Sequence, residues 1–448
     1  MRVLIVGAGV VGVTTAWVLF RRGHDVTVVE ALESAALETS YGNAGQRSYG
    51  HVTPWADPGL VSVGLRGLLR PQGPLKIPAP PSMKTLGFLL STARYAFTPG
   101  VYQRNNQALL RLAQFSREAF LSLERRLSLA FDGQHEGLVE LASDAPGLTA
   151  LKHKARDLAE LGVPHHWLER EALRAREPGM HPASVDTRGL LIEGDGTGDC
   201  HRFTQSLAQT CQRQGVRFHY QSRVTDWELD GDRISGVHGK DARGEHWQDS
   251  FDQVVLCAGN GSASLARPLG LKIPVYPVKG YSLTADIRNE SMAPRSTVVD
   301  LGLKVAMTRL GKRMRVTGFV ELADFDRSQP PQRLAVLRKA VESRFPGAAD
   351  FSQASPWCGF RPMLPDGPPA LGWGPRENLL VNTGHGTFGW TLSAGSAEVI
   401  GHLLDGEPCP LDLACFSPNR FRLSLIRTAP VRDRSSVAVA VRTRRRRC

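Results

Sequence analysis

The sequence predicts an α/β protein: a Rossmann-type dinucleotide-binding domain interrupted by an inserted α+β substrate domain that contains a mostly antiparallel sheet. Three observations carry this. The chain opens with a strand, a glycine turn, a helix and a second strand in immediate succession, ending on the acid Glu30. A further apolar strand, 254–256, runs into the small residues Cys257-Ala258-Gly259 about 250 residues later and reads as part of the same sheet, so a long insertion separates the two. Segments 275–284, 297–300, 305–308 and 314–319 then alternate as strands of a second layer.

The opening unit is the most informative. Residues 3–6 are apolar and β-branched, as in a strand buried on both faces, and they lead into Gly7-Ala8-Gly9-Val10-Val11-Gly12. Helical spacing follows from 11 to 22, Gly23 is positioned as a C-cap, and 25–29 resumes as strand. In such a unit Gly7 permits the tight turn, Gly9 lets backbone approach a pyrophosphate, and Gly12 lets helix pack on strand. The helix N-terminus offers free N–H groups and the positive end of its dipole to phosphates. Glu30, at the end of the second strand, is placed to accept ribose hydroxyls. A glycine pattern alone is weak evidence, but strand, glycines, helix, strand and acid in order point to a dinucleotide.

Length and composition bound the rest. A chain of 448 residues implies two or three domains. No run approaches the roughly 20 apolar residues of a membrane span, and Met1-Arg2 passes straight into the first strand, leaving no room for a signal peptide. The expected location is therefore cytoplasmic. Seven cysteines, scattered and without C-x-x-C, read as reduced thiols, and no metal site is expected. The net charge of +12 is concentrated: residues 419–448 carry ten arginines and one aspartate, so the body is nearly neutral and nucleic-acid binding is not expected.

Along the chain, 40–46 (SYGNAGQ) is a small-residue loop beyond the ribose acid, and 48–59 continues with aromatics and prolines. Residues 66–100 are irregular, Pro- and Gly-rich and dotted with Arg66, Arg70, Lys76, Lys84 and Arg94, as in an insertion, a lid or a membrane-surface contact. Helices are predicted over 105–126, 151–161, 170–177, 202–214, 334–345 and 393–404, the last with its N-terminus toward the cofactor. Strands 215–220, 223–225 and 232–237 are expected to return with 254–256 to the first domain. The glycine- and aspartate-rich 193–200 lacks calcium-loop spacing and reads as a polar turn.

Taken together, residues 3–30, YGNAGQ at 41–46, SYGHVTPW at 48–55, TGDC at 197–200, PVKGYSLT at 277–284, GFRPMLPDG at 359–367 and NTGHGTFGWT at 382–391 resemble the small-subunit family of D-amino-acid dehydrogenases, within the glycine oxidase and D-amino-acid oxidase superfamily. The resemblance implies non-covalent FAD, with Val3, Gly7, Gly9, Val10, Val11, Gly12, Glu30 and Val224 on the ADP half. It implies Asn43, Gly45, Gly259, Gly384, Gly386 and Thr387 toward the flavin side. It also implies that Arg361 pairs with the substrate carboxylate, that Tyr281 donates to the same group, and that His51 and His385 stand in the site wall.

The implied reaction is oxidative deamination of a D-alanine-like amino acid, with electrons passed to a quinone or other acceptor and a peripheral contact with the cytoplasmic face of the inner membrane. An oxygen-using sarcosine- or glycine-type amine oxidase and a flavin-binding scaffold are the alternative readings. The expected partition is 1–60, 196–265 and 356–421 as three segments of the FAD-binding domain, 61–195 as a helical and mixed insertion, 266–355 as the substrate domain, and 422–448 as a disordered basic tail. Sequence departs from the family at Phe360, Gly196 and Thr387, which bears on side-chain preference, and beyond residue 421 the match ends.

Overall fold

The computed structural model describes residues 1–57, 59, 75–78, 80–181 and 186–421. Its first layer is a six-stranded sheet in the spatial order 370–373, 379–383, 253–256, 2–6, 25–29 and 217–219. The opening strand β1 (Arg2–Val6) lies near the middle of that order, parallel to β2 (Asp25–Val29) on one side and to Gln253–Leu256 on the other. Its four inner residues are all buried, which explains the uninterrupted apolar run: a central parallel strand has no solvent face. Helix α1 (Val10–Arg21) crosses over the sheet and packs with the Gly389–Asp405 and Cys200–Gln214 helices in one apolar core around Val13, Trp17, Leu207 and Ile400.

The second layer is a nine-stranded sheet. Eight strands run in the order 355–363, 276–286, 313–321, 305–310, 297–300, 138–142, 188–192 and 165–168, and the short 75–76 strand joins the edge of 313–321. It is antiparallel except where 297–300 meets 138–142 and where 75–76 meets 320–321. Helix Pro331–Arg344 covers one face, burying Leu337 and Val341 against Met307, Val316 and Phe351.

Three expectations are corrected. The strands 223–230, 233–240 and 246–249 do not return to the first sheet. They form a separate three-stranded antiparallel sheet, and only 217–219 and 253–256 rejoin β1 and β2. Short alternating strands of this kind satisfy their hydrogen bonds with sequence neighbours, which local propensity cannot distinguish from a return across 200 residues. The 355–363 strand, assigned to the FAD-binding return, pairs along its whole length with 276–286 in the large sheet, so the boundary expected at 356 falls inside a substrate-sheet strand. Finally, the stretch read as irregular contains a regular helix, Met83–Ala96, whose Ser82 side chain caps Thr85 N–H. The parts of that stretch at 66–74 and 79 lie outside the described residues, as does the 422–448 tail.

Candidate active site

A large cavity of about 1850 Å³ runs between the two sheets, from the glycine turn after β1 to Arg361 and the Met83–Ala96 helix. The turn is shaped by contacts no side chain could share. Gly7 has φ +107°, and a Cβ on it would sit 2.7 Å from the Cys257 carbonyl oxygen. A Cβ on Gly12 would sit 1.9 Å from the carbonyl oxygen of Gly7, so helix and turn touch only because both are glycine. Gly9 is different: the nearest protein atom to its Cβ position is the Ser40 hydroxyl at 3.6 Å, and the space it leaves belongs to the cavity. Gly7, Gly9, Val10 and Val11 line it, while the Val10 N–H is held by the Ser40 hydroxyl at 3.1 Å.

Glu30 closes this end. Its carboxylate accepts from Ala8 N–H at 2.7 Å and Leu32 N–H at 3.0 Å, which aims it across the turn. Burial raises its pKa, against the opposing pull of those backbone donors. Val224 and Gly259 also line the cavity. The donor-rich helix terminus, the turn built to exclude side chains and the flanking carboxylate fit the ADP half of a dinucleotide.

Two assignments to this half change. Val3 is wholly buried inside β1 and lies away from the cavity, and Gly12 faces the Gly7 carbonyl rather than the open space. On the flavin side Asn43 lines the cavity, its side-chain oxygen accepting from Gly45 N–H and its carbonyl held by Arg315 at 3.0 Å. Gly45 itself stands behind the wall, facing Gly198 and Leu310. Gly384, Gly386 and Thr387 line the opposite side, in a turn that enters the Gly389–Asp405 helix. That helix begins four residues earlier than its apolar spacing suggests, which brings its N-terminus to the turn.

Arg361 is set in the wall of the cavity from the 355–363 strand. Among the described residues no carboxylate faces it. Its Nη1 reaches only the carbonyls of Phe319 at 3.2 Å and Lys279 at 3.4 Å, and burial alone lowers its pKa to about 10. Gly280 on the neighbouring strand makes the room: a Cβ there would lie 2.5 Å from Arg361 Nη1. A half-buried guanidinium on a cavity surface, with no counter-charge among the described residues, is chemically suited to an anion.

The other three expected residues differ. Tyr281 lines the cavity, but its hydroxyl donates to Glu321 at 2.7 Å, and Glu321 is in turn paired with Arg333 at 2.7 Å. The phenol proton is therefore already engaged, and burial followed by the Glu321 contact raises the Tyr281 pKa. His385 is buried, its Nε2 3.0 Å from the Ser396 hydroxyl, and burial pushes its pKa down to about 3, so the ring is neutral at ordinary pH. His51 lines the cavity and has its Nδ1 2.5 Å from Glu140 Oε1. Lys154 also contacts this carboxylate. Burial would raise the pKa of Glu140, but His51 and Lys154 outweigh it and hold it at about 2.

Sequence reasoning missed Ser40, Arg315, Gly280 and Glu140. Each acts through a partner elsewhere in the chain; Gly280 lies inside a matched stretch and Ser40 opens the small-residue loop 40–46, while Arg315 and Glu140 carried no signal.

Residues 2–403 match the family described as FAD dependent oxidoreductase, and the chain belongs to it. The cofactor of this family is FAD. Among similar proteins, the D-amino acid dehydrogenase of Cereibacter sphaeroides is 42% identical over 424 residues, covering 94% of this chain and 95% of its own. That of Vibrio cholerae is 41% identical over 415 residues, covering 92% and 96%. Glycine oxidase from Geobacillus kaustophilus shares the fold with a TM-score of 0.73 at 22% identity, over 94% of this chain and 99% of its own. L-proline dehydrogenase from P. horikoshii does so with a TM-score of 0.70 at 17% identity, over 94% and 97%. No helix among the described residues is long and apolar enough to cross a membrane.

Proposed function

We propose that this protein is an FAD-dependent D-amino-acid dehydrogenase that oxidatively deaminates small D-amino acids such as D-alanine. The observation that carries the reading is Arg361, a half-buried guanidinium on the cavity wall that meets no carboxylate among the described residues. Amino acids of different side chain share a carboxylate and an amine, and a planar guanidinium grips the former at two oxygens. Anchored there, the substrate presents its Cα to the part of the cavity bounded by Asn43, Gly384 and Thr387.

Bound FAD would accept the hydride leaving Cα, and water then converts the imino acid to a 2-oxo acid and ammonia. The protein's part is to bind, orient and exclude water. His385, neutral and hydrogen-bonded to Ser396, and His51, tied to Glu140, serve as wall residues of the site. The two electrons pass on to a quinone or another acceptor. In this reading the protein works in the cytoplasm in peripheral contact with the inner membrane.

The test is anaerobic: purified protein with its flavin spectrum recorded, then mixed with D- and L-alanine and with sarcosine. Bleaching by D-alanine far faster than by the other two is expected. Equal bleaching by the L-enantiomer, or bleaching by sarcosine alone, would reject the assignment.

A further inference from the structure

The Met83–Ala96 helix has two faces that serve different surroundings. Lys84, Gly87, Phe88, Ser91 and Tyr95 lie on the stripe that lines the cavity. Met83, Leu86, Leu90 and the helix C-cap Phe97 point to solvent, with exposures of 82%, 40%, 64% and 67%. Their spacing of three, four and seven is that of one helical stripe. These four are among only eleven large hydrophobic residues exposed at this level in the described structure, and they fall within fifteen consecutive positions. Isolated exposed apolar residues need no explanation, whereas a row of them on one short helix does.

The charges around the row indicate what covers it. From Pro58 to Arg117 the chain contains no aspartate or glutamate, yet carries Arg66, Arg70, Lys76, Lys84, Arg94, Arg104, Arg111 and Arg117. Of these Lys76, Lys84, Arg94, Arg104 and Arg111 are exposed in the described structure. An apolar stripe flanked in sequence by cations without acids is complementary to an anionic lipid surface. The helix has 14 residues, about 21 Å, too short to span the roughly 30 Å hydrocarbon layer, so contact has to be interfacial.

We propose that the outward stripe Met83, Leu86, Leu90 and Phe97 docks on an anionic bilayer surface, and that the cavity wall formed by the same helix therefore lies beside the lipid. This deepens the proposed peripheral contact and rests on it. A lipid-dissolved electron acceptor would then meet the cavity without crossing water.

The test uses the full-length flavoprotein and sedimentation with vesicles of neutral phosphatidylcholine or of an equal mixture with phosphatidylglycerol. Wild type is expected to bind the anionic vesicles at least tenfold more strongly than the neutral ones. Leu86→Asn with Leu90→Asn should lower that binding at least tenfold, with flavin content and D-alanine oxidation by a soluble dye unchanged. A second variant lacking 424–448 separates the helix from the arginine-rich tail, and it should keep most of the Leu86- and Leu90-dependent binding. Failure of wild type to prefer anionic vesicles, wild-type binding by the double variant, or loss of binding on removing the tail alone would overturn the proposal. None of these would touch the dehydrogenase reading, which stands or falls on flavin bleaching by D-alanine.

Discussion

In the proposed reading Arg361 anchors the substrate carboxylate: its guanidinium is half-buried and, among the described residues, is answered only by two carbonyls. Arg361→Ala should lower kcat/KM for D-alanine by tens- to thousands-fold, corresponding to about 2–5 kcal/mol for truncating one partner of a desolvated charge pair, with FAD still bound. Arg361→Lys keeps charge but loses the fork, and should recover only part of the loss. Gly280→Ala supplies an independent probe, since its new methyl would sit 2.5 Å from Nη1 and push the guanidinium aside. It should raise KM with flavin content unchanged. Steady-state kinetics with a dye acceptor checks all three, and near wild-type kcat/KM in Arg361→Ala would refute the anchor.

At the scale of elements, the contact between the glycine turn and α1 leaves no room for a side chain. Gly12→Val would place a branched group at 1.9 Å from the Gly7 carbonyl, and the variant should purify without flavin or unfold. A Cβ at Gly9 meets little protein, only the Ser40 hydroxyl at 3.6 Å, so Gly9→Val should fold with a melting temperature close to that of flavin-free wild type while failing to take up FAD. Absorbance at flavin wavelengths and thermal melts together separate the two cases. This unit was legible because its information is local: buried strand, positive-φ glycine, helix and acid follow one another within thirty residues.

The Met83–Ala96 helix was illegible for the opposite reason. Prolines before it and Thr98-Pro99-Gly100 after it dominate the composition, and its exposed apolar stripe mimics the pattern of no ordinary surface helix. Tyr281 shows a limit of another kind. The matched stretch brought it to the cavity wall, but its hydroxyl partner Glu321 lies forty residues on, across a strand pairing that no motif records.

For the molecule as a whole, buried ionisable groups make stability depend on pH in opposing directions. Burial pushes the Asp195 carboxyl up to about 7, against an ordinary value near 4, so between those pH values the unfolded chain has lost a proton that the folded one retains. That contribution is fully present below about pH 4 and is lost as pH rises toward 7. His385 works the other way: with a folded pKa of about 3 against about 6.5 unfolded, it favours the fold above pH 6.5 and withdraws support as acid is added. Asp195→Asn keeps an oxygen for Gly50 N–H and removes the ionisation. It should leave stability little changed at pH 4 and raise it at pH 8 by as much as about 4 kcal/mol, the upper bound for a shift of roughly three pH units. Urea unfolding at the two pH values decides it, and an equal effect at both would exclude titration of Asp195 as the cause.

The position of β1 within its sheet has a consequence for how the polypeptide comes into being. Its neighbour on one side, 25–29, emerges from the ribosome almost with it, but its neighbour on the other, 253–256, and that strand's own partner, 379–383, are made much later. At roughly 5–20 residues per second, the last of these follows the first by about 20–80 s. Until 253–256 is made β1 has one edge unpaired, and from then until 379–383 is made the open edge is that of 253–256, in each case an apolar template for the wrong partner. Nascent chains ending before residue 379 should accordingly retain no flavin and bind a chaperone that recognises extended apolar segments. Release from it and acquisition of colour should coincide with completion of the 379–383 strand, and a chain cut at 370 that still bound FAD would refute this order of events.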